Sequence, residues 1–155
     1  MAQKVELKDR IPFPADVVMN KMMDTEFVER WSVVQEAIAP KATMVEKTDN
    51  VARINVKMEE PIPTLGNIQA QIDFTWDIKN RKCPWVRTAE GMGAKSNVSG
   101  YSELIPDGDD ACTFVDVINI EVKIPVVGKK MEKMVAKHMK AGRQKKVDFL
   151  IKNLT

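Results

Sequence analysis

Two periodicities divide this chain. Val5, Leu7 and Ile11 alternate with charged residues, interrupted at Asp9, and predict a strand over Gln3–Ile11. At Pro12-Phe13-Pro14-Ala15-Asp16 the pattern changes. Proline in a first turn and an acid near the positive end of the helix dipole announce a helix, with Val17, Val18, Met19, Met22 and Met23 along its stripe. Asp24-Thr25-Glu26 caps a second short helix running through Phe27 and Val28 to about Trp31. From Gln35 to Ile124 the period is two. Clear alternation runs through Ala52/Ile54/Val56/Met58, Ile68/Ala70/Ile72/Phe74/Trp76/Ile78, Val98 to Ile105, and Ile118/Ile120/Ile124 with Val122; weaker strands are read at Ala42–Lys47 and Trp85–Glu90. Val115 and Val117 fall out of phase with Ile118, which predicts a bulge there and leaves the facing of Asp116 open.

Seven strands joined by short connections make an antiparallel sheet. The connections differ in kind. Those at Asp49-Asn50, Asn80-Arg81-Lys82 and Pro106–Asp110 are polar, whereas Pro61–Asn67, Gly91–Ala94 and Pro125–Gly128 are rich in proline or glycine and partly apolar. Alternate connections of an antiparallel meander share an end of the sheet, so the three apolar ones collect at one end and form a mouth.

The period of 3.6 returns from about Lys129 to Asn153, where Met131, Met134/Val135, His138/Met139, Gly142, Val147, Leu150 and Leu154 recur at helical spacing among lysines. Such a helix is roughly 37 Å long and a strand such as Ile68–Ile78 roughly 36 Å. One long amphipathic helix therefore matches one long, half-apolar sheet, and nothing else of that size is available to cover it. Between Lys129 and Lys152 nine Lys/Arg stand against Glu132 and Asp148, a local charge of +7 in a chain whose total is +2, so everything outside carries −5. This basic segment is read first as a solvated face, with balance against the acidic remainder and attraction to an anionic membrane surface as the alternatives. Few aromatic residues interleave with it, which argues against nucleic acid.

The order strand, two short helices, six strands, long C-terminal helix resembles the START-like or Bet v 1-like superfamily, also called SRPBCC or helix-grip. The residues carrying the likeness are Ile11–Val18, Asp24-Thr25-Glu26-Phe27 with Trp31, and the exit Glu121–Glu132; that exit, with Trp76, is similar to an uncharacterised bacterial branch. The resemblance spans essentially the whole chain. It implies an α+β fold, a single START-like domain over residues 1–155 with a seven-stranded antiparallel sheet curved around the C-terminal helix and two short helices between its first and second strands. It also implies a cavity between sheet and helix that often holds an apolar ligand. The fold hosts binders, receptors and enzymes alike, so activity must come from the site.

With 155 residues, 44% of them hydrophobic, the chain can build a substantial core without disulfides, and Cys83 and Cys112 lack any metal-binding or redox spacing. One histidine excludes a multi-histidine metal site, and no cofactor is called for. There is no dinucleotide-binding, P-loop, nucleophile-elbow or zinc-protease motif, which counts against the mainstream enzyme classes. No apolar run is long enough to span a membrane and the first residues lack a signal peptide's apolar stretch, so a cytoplasmic location is expected. The function read from this is a binding protein that encloses an apolar or amphipathic small molecule, lipid- or isoprenoid-like. The alternatives are a cyclase- or dehydratase-like enzyme in the same cavity, or a docking module using the basic helix face. The expected lining is Met58, Ile62, Leu65, Ile72, Phe74, Trp76, Trp85, Met92, Met131, Met134, Val135 and Met139, with Arg87, Tyr101 and His138 as the polar groups that orient a guest. No catalytic residue is assigned.

Overall fold

A computed structural model describes residues 3–62, 66–90 and 95–155. In chain order the elements are β1 (Gln3–Ile11), α1 (Ala15–Met22), α2 (Thr25–Val34), β2 (Ile38–Lys47), β3 (Val51–Ile62), β4 (Gly66–Asp77), β5 (Lys82–Ala89), β6 (Ser96–Asp107), β7 (Ala111–Val122) and α3 (Gly128–Leu154). The seven strands form one antiparallel sheet in the order β1-β7-β6-β5-β4-β3-β2. This is the α+β helix-grip arrangement that the resemblance implies, with strands and helices where the periodicities place them.

Local chemistry explains the helices. Pro14 occupies the N-cap of α1, and Asp16 in its first turn accepts from Arg81 Nε at 2.7 Å, tying α1 to the β4–β5 turn. Asp24 caps α2 by accepting from the Glu26 backbone N–H at 3.0 Å. α3 starts where Gly128 crosses close over the end of β7. A Cβ at that position would lie 2.3 Å from the Val122 carbonyl oxygen, so a residue with a side chain is excluded. One turn later the buried Glu132 carboxylate accepts the Val122 backbone N–H at 2.8 Å.

Register fixes which side chains face α3. One row crosses all seven strands as Val5, Ile118, Gly100, Trp85, Phe74, Ile54 and Met44. The next row toward the mouth carries Ile120, Val98, Arg87, Ile72 and Val56. In the opposite direction Leu7, Asp116, Ser102 and Cys83 share a row. Buried apolar residues fall into two clusters. The larger joins α1, α2 and the end of α3 to β3, β4 and the deep end of the sheet; the smaller gathers Val5, Val98, Ile118, Ile120 and Ala136 beneath the first half of α3. Met19, Met22 and Met23 are enclosed in the larger one.

The expected bulge in β7 is not there: pairing with β1 and β6 runs without a register shift. Val115 and Val117 lie on the outer face and are buried there, on a strand flanked by the long side chains of Lys8, Glu6, Glu103 and Tyr101. Apolar residues on both faces of a central strand produced the apparent phase change. Asp116 consequently faces α3. The irregularities that do occur lie in the edge strand β2, between Ile38 and Lys41 and between Met44 and Glu46.

Candidate functional site

The helix-facing surface divides into a solid deep end and a looser half nearer the mouth. At the deep end Trp76 is 2% exposed, and Cys83, Leu104 and Phe114 are equally enclosed. One row toward the mouth Phe74 and Trp85 are only half-buried, and so are Ile72 and Arg87 beyond them. Met131, Val135 and Met139 on α3 are likewise half-buried. Large apolar groups on the inner side of a sheet beneath a helix normally bury fully. Their partial burial shows that α3 leaves this part of the sheet, over β4 and β5, only partly covered.

Two charged groups punctuate this surface. In the mouth half, Arg87 Nε donates to both carboxylate oxygens of Glu60 at 3.1 Å, and Nη2 also donates to Glu60. Their side chains are 13% and 24% exposed. Glu60 shares the parity of Ile54, Val56 and Met58 along β3, and this same-face spacing is the signal that marks it as inward.

At the deep end Asp116 is the hub of a second set. Arg143 Nη1 donates to its Oδ2 at 2.6 Å, Lys146 Nζ to the same oxygen at 3.1 Å, and the Ser102 hydroxyl donates to Oδ1. Arg143 also bonds Asp9 Oδ2 at 2.6 Å and the Phe114 carbonyl at 3.0 Å. Burial pushes the Asp116 carboxyl upward, but Lys146, Arg143 and Ser102 outweigh it and hold the group below the usual carboxylate range. Burial pushes the nearby Cys83 thiol up, away from nucleophilic reactivity, and the Asp116 charge adds to that. Two acids and two bases cancel here, each guanidinium nitrogen of Arg143 is bonded, and the Phe114 ring lies 4.3 Å beneath the Arg143 guanidinium. This set fastens α3 to β1 and β7.

Several expected lining residues stand elsewhere. His138 is 64% exposed by side chain, with Nε2 3.2 Å from Glu36 on the α2–β2 turn; it falls on the outer edge of the helical stripe. Met134 is 48% exposed for the same reason. Tyr101 alternates with the inward Gly100 and Ser102 and so lies on the outer face, where Lys82 Nζ sits 4.1 Å from its ring. Trp76 faces inward but belongs to the packed deep end, and Met58 is buried beside Ala70. Ile72, Phe74, Trp85, Arg87, Met131, Val135 and Met139 border the looser half. The Ile62 side chain, Leu65 and Met92 lie outside the described residues. Seven of the nine basic residues of α3 are exposed, while Arg143 and Lys146 turn inward, against the expectation of one solvated face.

Sequence reading passed over Asp9, Glu60, Ser102, Arg143 and Lys146. Asp9 left a trace, because it is the residue that interrupts the alternation of β1. Arg143 lies four residues from both Met139 and Val147, on the apolar stripe itself.

Solved structures share this architecture at low identity. The Zhui aromatase/cyclase from Streptomyces aligns with a TM-score of 0.70 and 12% identity over 99% of this chain and 94% of that one. A START superfamily protein from Mycobacterium smegmatis gives 0.69 and 13% over 98% and 99%. Norcoclaurine synthase from Thalictrum flavum, solved with dopamine and hydroxybenzaldehyde, gives 0.66 and 12% over 99% and 88%. These likenesses establish the START-like, Bet v 1-like SRPBCC fold. No curated protein sequence matches the chain. A family model matches residues 6–152, and the chain belongs to that family, described as a protein of unknown function, DUF2505.

Proposed function

We propose that this protein binds an apolar or amphipathic small molecule against the mouth half of the helix-facing sheet surface, beneath the first half of α3. The observation that carries the reading is the contrast along β4 and β5: Trp76 and Cys83 are enclosed at the deep end, whereas Phe74, Trp85, Ile72 and Arg87 are left half-buried. Covering these apolar groups with a guest removes their surface from water, at roughly 25 cal/mol per Å². The methionines on α3 adapt to irregular guests because thioethers repack at little cost. Arg87 and Glu60 supply the few polar contacts that fix orientation. The fold's occurrence in proteins solved with small aromatic molecules supports the reading.

Catalysis on the helix-facing surface has less behind it: in the mouth half Arg87 is already paired with Glu60. The acidic and basic groups at the deep end are mutually neutralised, with Asp116 already accepting from three donors.

Native mass spectrometry after gentle purification tests the proposal. The expected spectrum contains the chain plus a dissociable apolar species, and Trp85→Ala reduces its occupancy. Repeated recovery of the bare chain, together with no uptake of added lipophilic probes, would sink it.

A further inference from the structure

We infer that the polar end of the guest is an uncharged carbonyl or hydroxyl held by the Arg87–Glu60 pair, and that carboxylate-ended lipids are disfavoured. This rests on the binding reading above and names the ligand class for the same surface. The pair joins β5 to β3, which are not neighbours; β4 runs between them, where Ile68 pairs with Glu60, Ile72 pairs with Arg87 and Ala70 lies between. Across β5 and β6 Arg87 faces Val98. Two opposite charges thus lie within an apolar floor, largely withdrawn from water, and cancel each other.

Geometry then sets what they accept. Glu60 occupies the Nε and Nη2 edge of the guanidinium, and Nη1 makes no hydrogen bond among the described residues. A carbonyl or hydroxyl oxygen accepts from Nη1 without disturbing the pair, and a hydroxyl can also donate to a Glu60 oxygen. Both are charge-assisted bonds, the stronger kind. A carboxylate at the same spot meets an arginine that is already neutralised. It also faces the Glu60 charge in a poorly solvated setting, where like charges repel strongly. To bind well it must displace Glu60 and leave that group unpaired among apolar side chains, which is costly. Glu132, the buried acid of α3, is committed elsewhere, to the Val122 N–H at the end of β7.

The test compares cis-parinaric acid with the alcohol made from it by reduction, which share one fluorescent apolar chain and differ only at the end. Both are titrated at neutral pH into the intact protein and into Glu60→Gln and Arg87→Met variants. The wild type is expected to favour the alcohol by about tenfold or more, an order of magnitude for each 1.4 kcal/mol. Because an alcohol is also intrinsically more apolar, the decisive quantity is how the acid-to-alcohol affinity ratio changes. Glu60→Gln removes the opposing charge, and the ratio is expected to shift toward the acid by about tenfold. Arg87→Met weakens the alcohol relative to wild type and restores no acid binding. An acid-preferring wild type, or a ratio that Glu60→Gln leaves unchanged, overturns the inference while the binding reading stands. If neither probe binds the wild type, the binding reading falls and this inference falls with it.

Discussion

Arg143 donates to Asp116 across a gap of 2.6 Å, with both side chains almost wholly removed from water. The bond connects the middle of the C-terminal helix to a central strand. Its neighbours extend it: Asp9 on β1 takes the Nε of the same arginine, and Lys146 reaches Asp116 one turn further along. The helix is therefore anchored over β1 and β7 by charge at one level and by Val147 and Leu150 in the core beyond it. Anchoring on that side leaves the surface over β4 and β5 free to stay loosely covered.

Breaking this anchor exposes its cost. Arg143→Met leaves Asp116 and Asp9 facing each other with one cation removed, and loss of one partner of a buried pair typically costs about 3–5 kcal/mol. Lys137→Met, on the exposed side of the same helix, is expected within about 0.5 kcal/mol of wild type. Urea denaturation of the two variants measures both numbers. An Arg143 effect no larger than that of Lys137 would contradict the arrangement.

The same cluster gives stability an acid-side dependence. The carboxyl of Asp116 titrates lower in the folded state than in the unfolded chain. Between those two values the unfolded state binds the extra proton, so lowering the pH favours unfolding. Its contribution is complete above the unfolded value of about 3.9 and is lost as the pH falls through the folded one. Wild type is therefore expected to lose stability below about pH 4 more steeply than Asp116→Asn. Asp116→Asn is the less stable of the two at neutral pH, where it lacks the paired charge. Denaturation midpoints across that acid range provide the comparison.

Periodicity alone carried most of the architecture, because strands and helices buried on one face print their period into the chain. It failed at β7, where Val115 and Val117 are apolar on the outer face as well and the two faces became indistinguishable. It also failed for charged residues turned inward. Arg143 and Lys146 look like two more members of a basic run, and only their partners on β1 and β7, far away in sequence, explain their orientation. His138 went the other way. A lone imidazole beside an apolar stripe suggested a ligand contact, yet His138 falls at the outer edge of that stripe and lies in water beside Glu36. Glu60 was legible from parity, but its pairing with Arg87 crosses an intervening strand, and no local pattern encodes that.

Gly100 and Gly142 should respond oppositely to the same substitution. A Cβ at Gly100 would stand 1.9 Å from the Val117 carbonyl oxygen, so β6 and β7 must separate to admit it. Gly100→Ala is expected to cost about 3 kcal/mol, at the upper end of overpacking effects because the obstacle is backbone. Gly142 lies within α3 with nothing near its missing Cβ, and Gly142→Ala is expected to stabilise by about 0.5–1 kcal/mol through helix propensity. Thermal melts of the two variants, displaced in opposite directions, are the expected result.

The three tryptophans report on how completely the helix-facing side of the sheet is covered. Trp31 and Trp76 are enclosed, Trp31 with its indole N–H donating to the Lys146 carbonyl at 2.9 Å. Trp85 is half-buried on the looser half of the sheet, opposite Phe74 and beside Gly100, which has no side chain to cover it. A small neutral quencher such as acrylamide should therefore reach one indole far more readily than the other two. Trp85→Phe is expected to remove most of the quenchable emission while leaving the protected fraction intact. An apolar guest seated against Phe74 and Trp85 would shield that indole, so saturation of the wild type should lower the quenching constant toward that of the variant. If quenching is unchanged by Trp85→Phe, the accessible surface lies elsewhere. If it is lost in the variant but unaffected by a bound guest, the guest does not sit over β4 and β5.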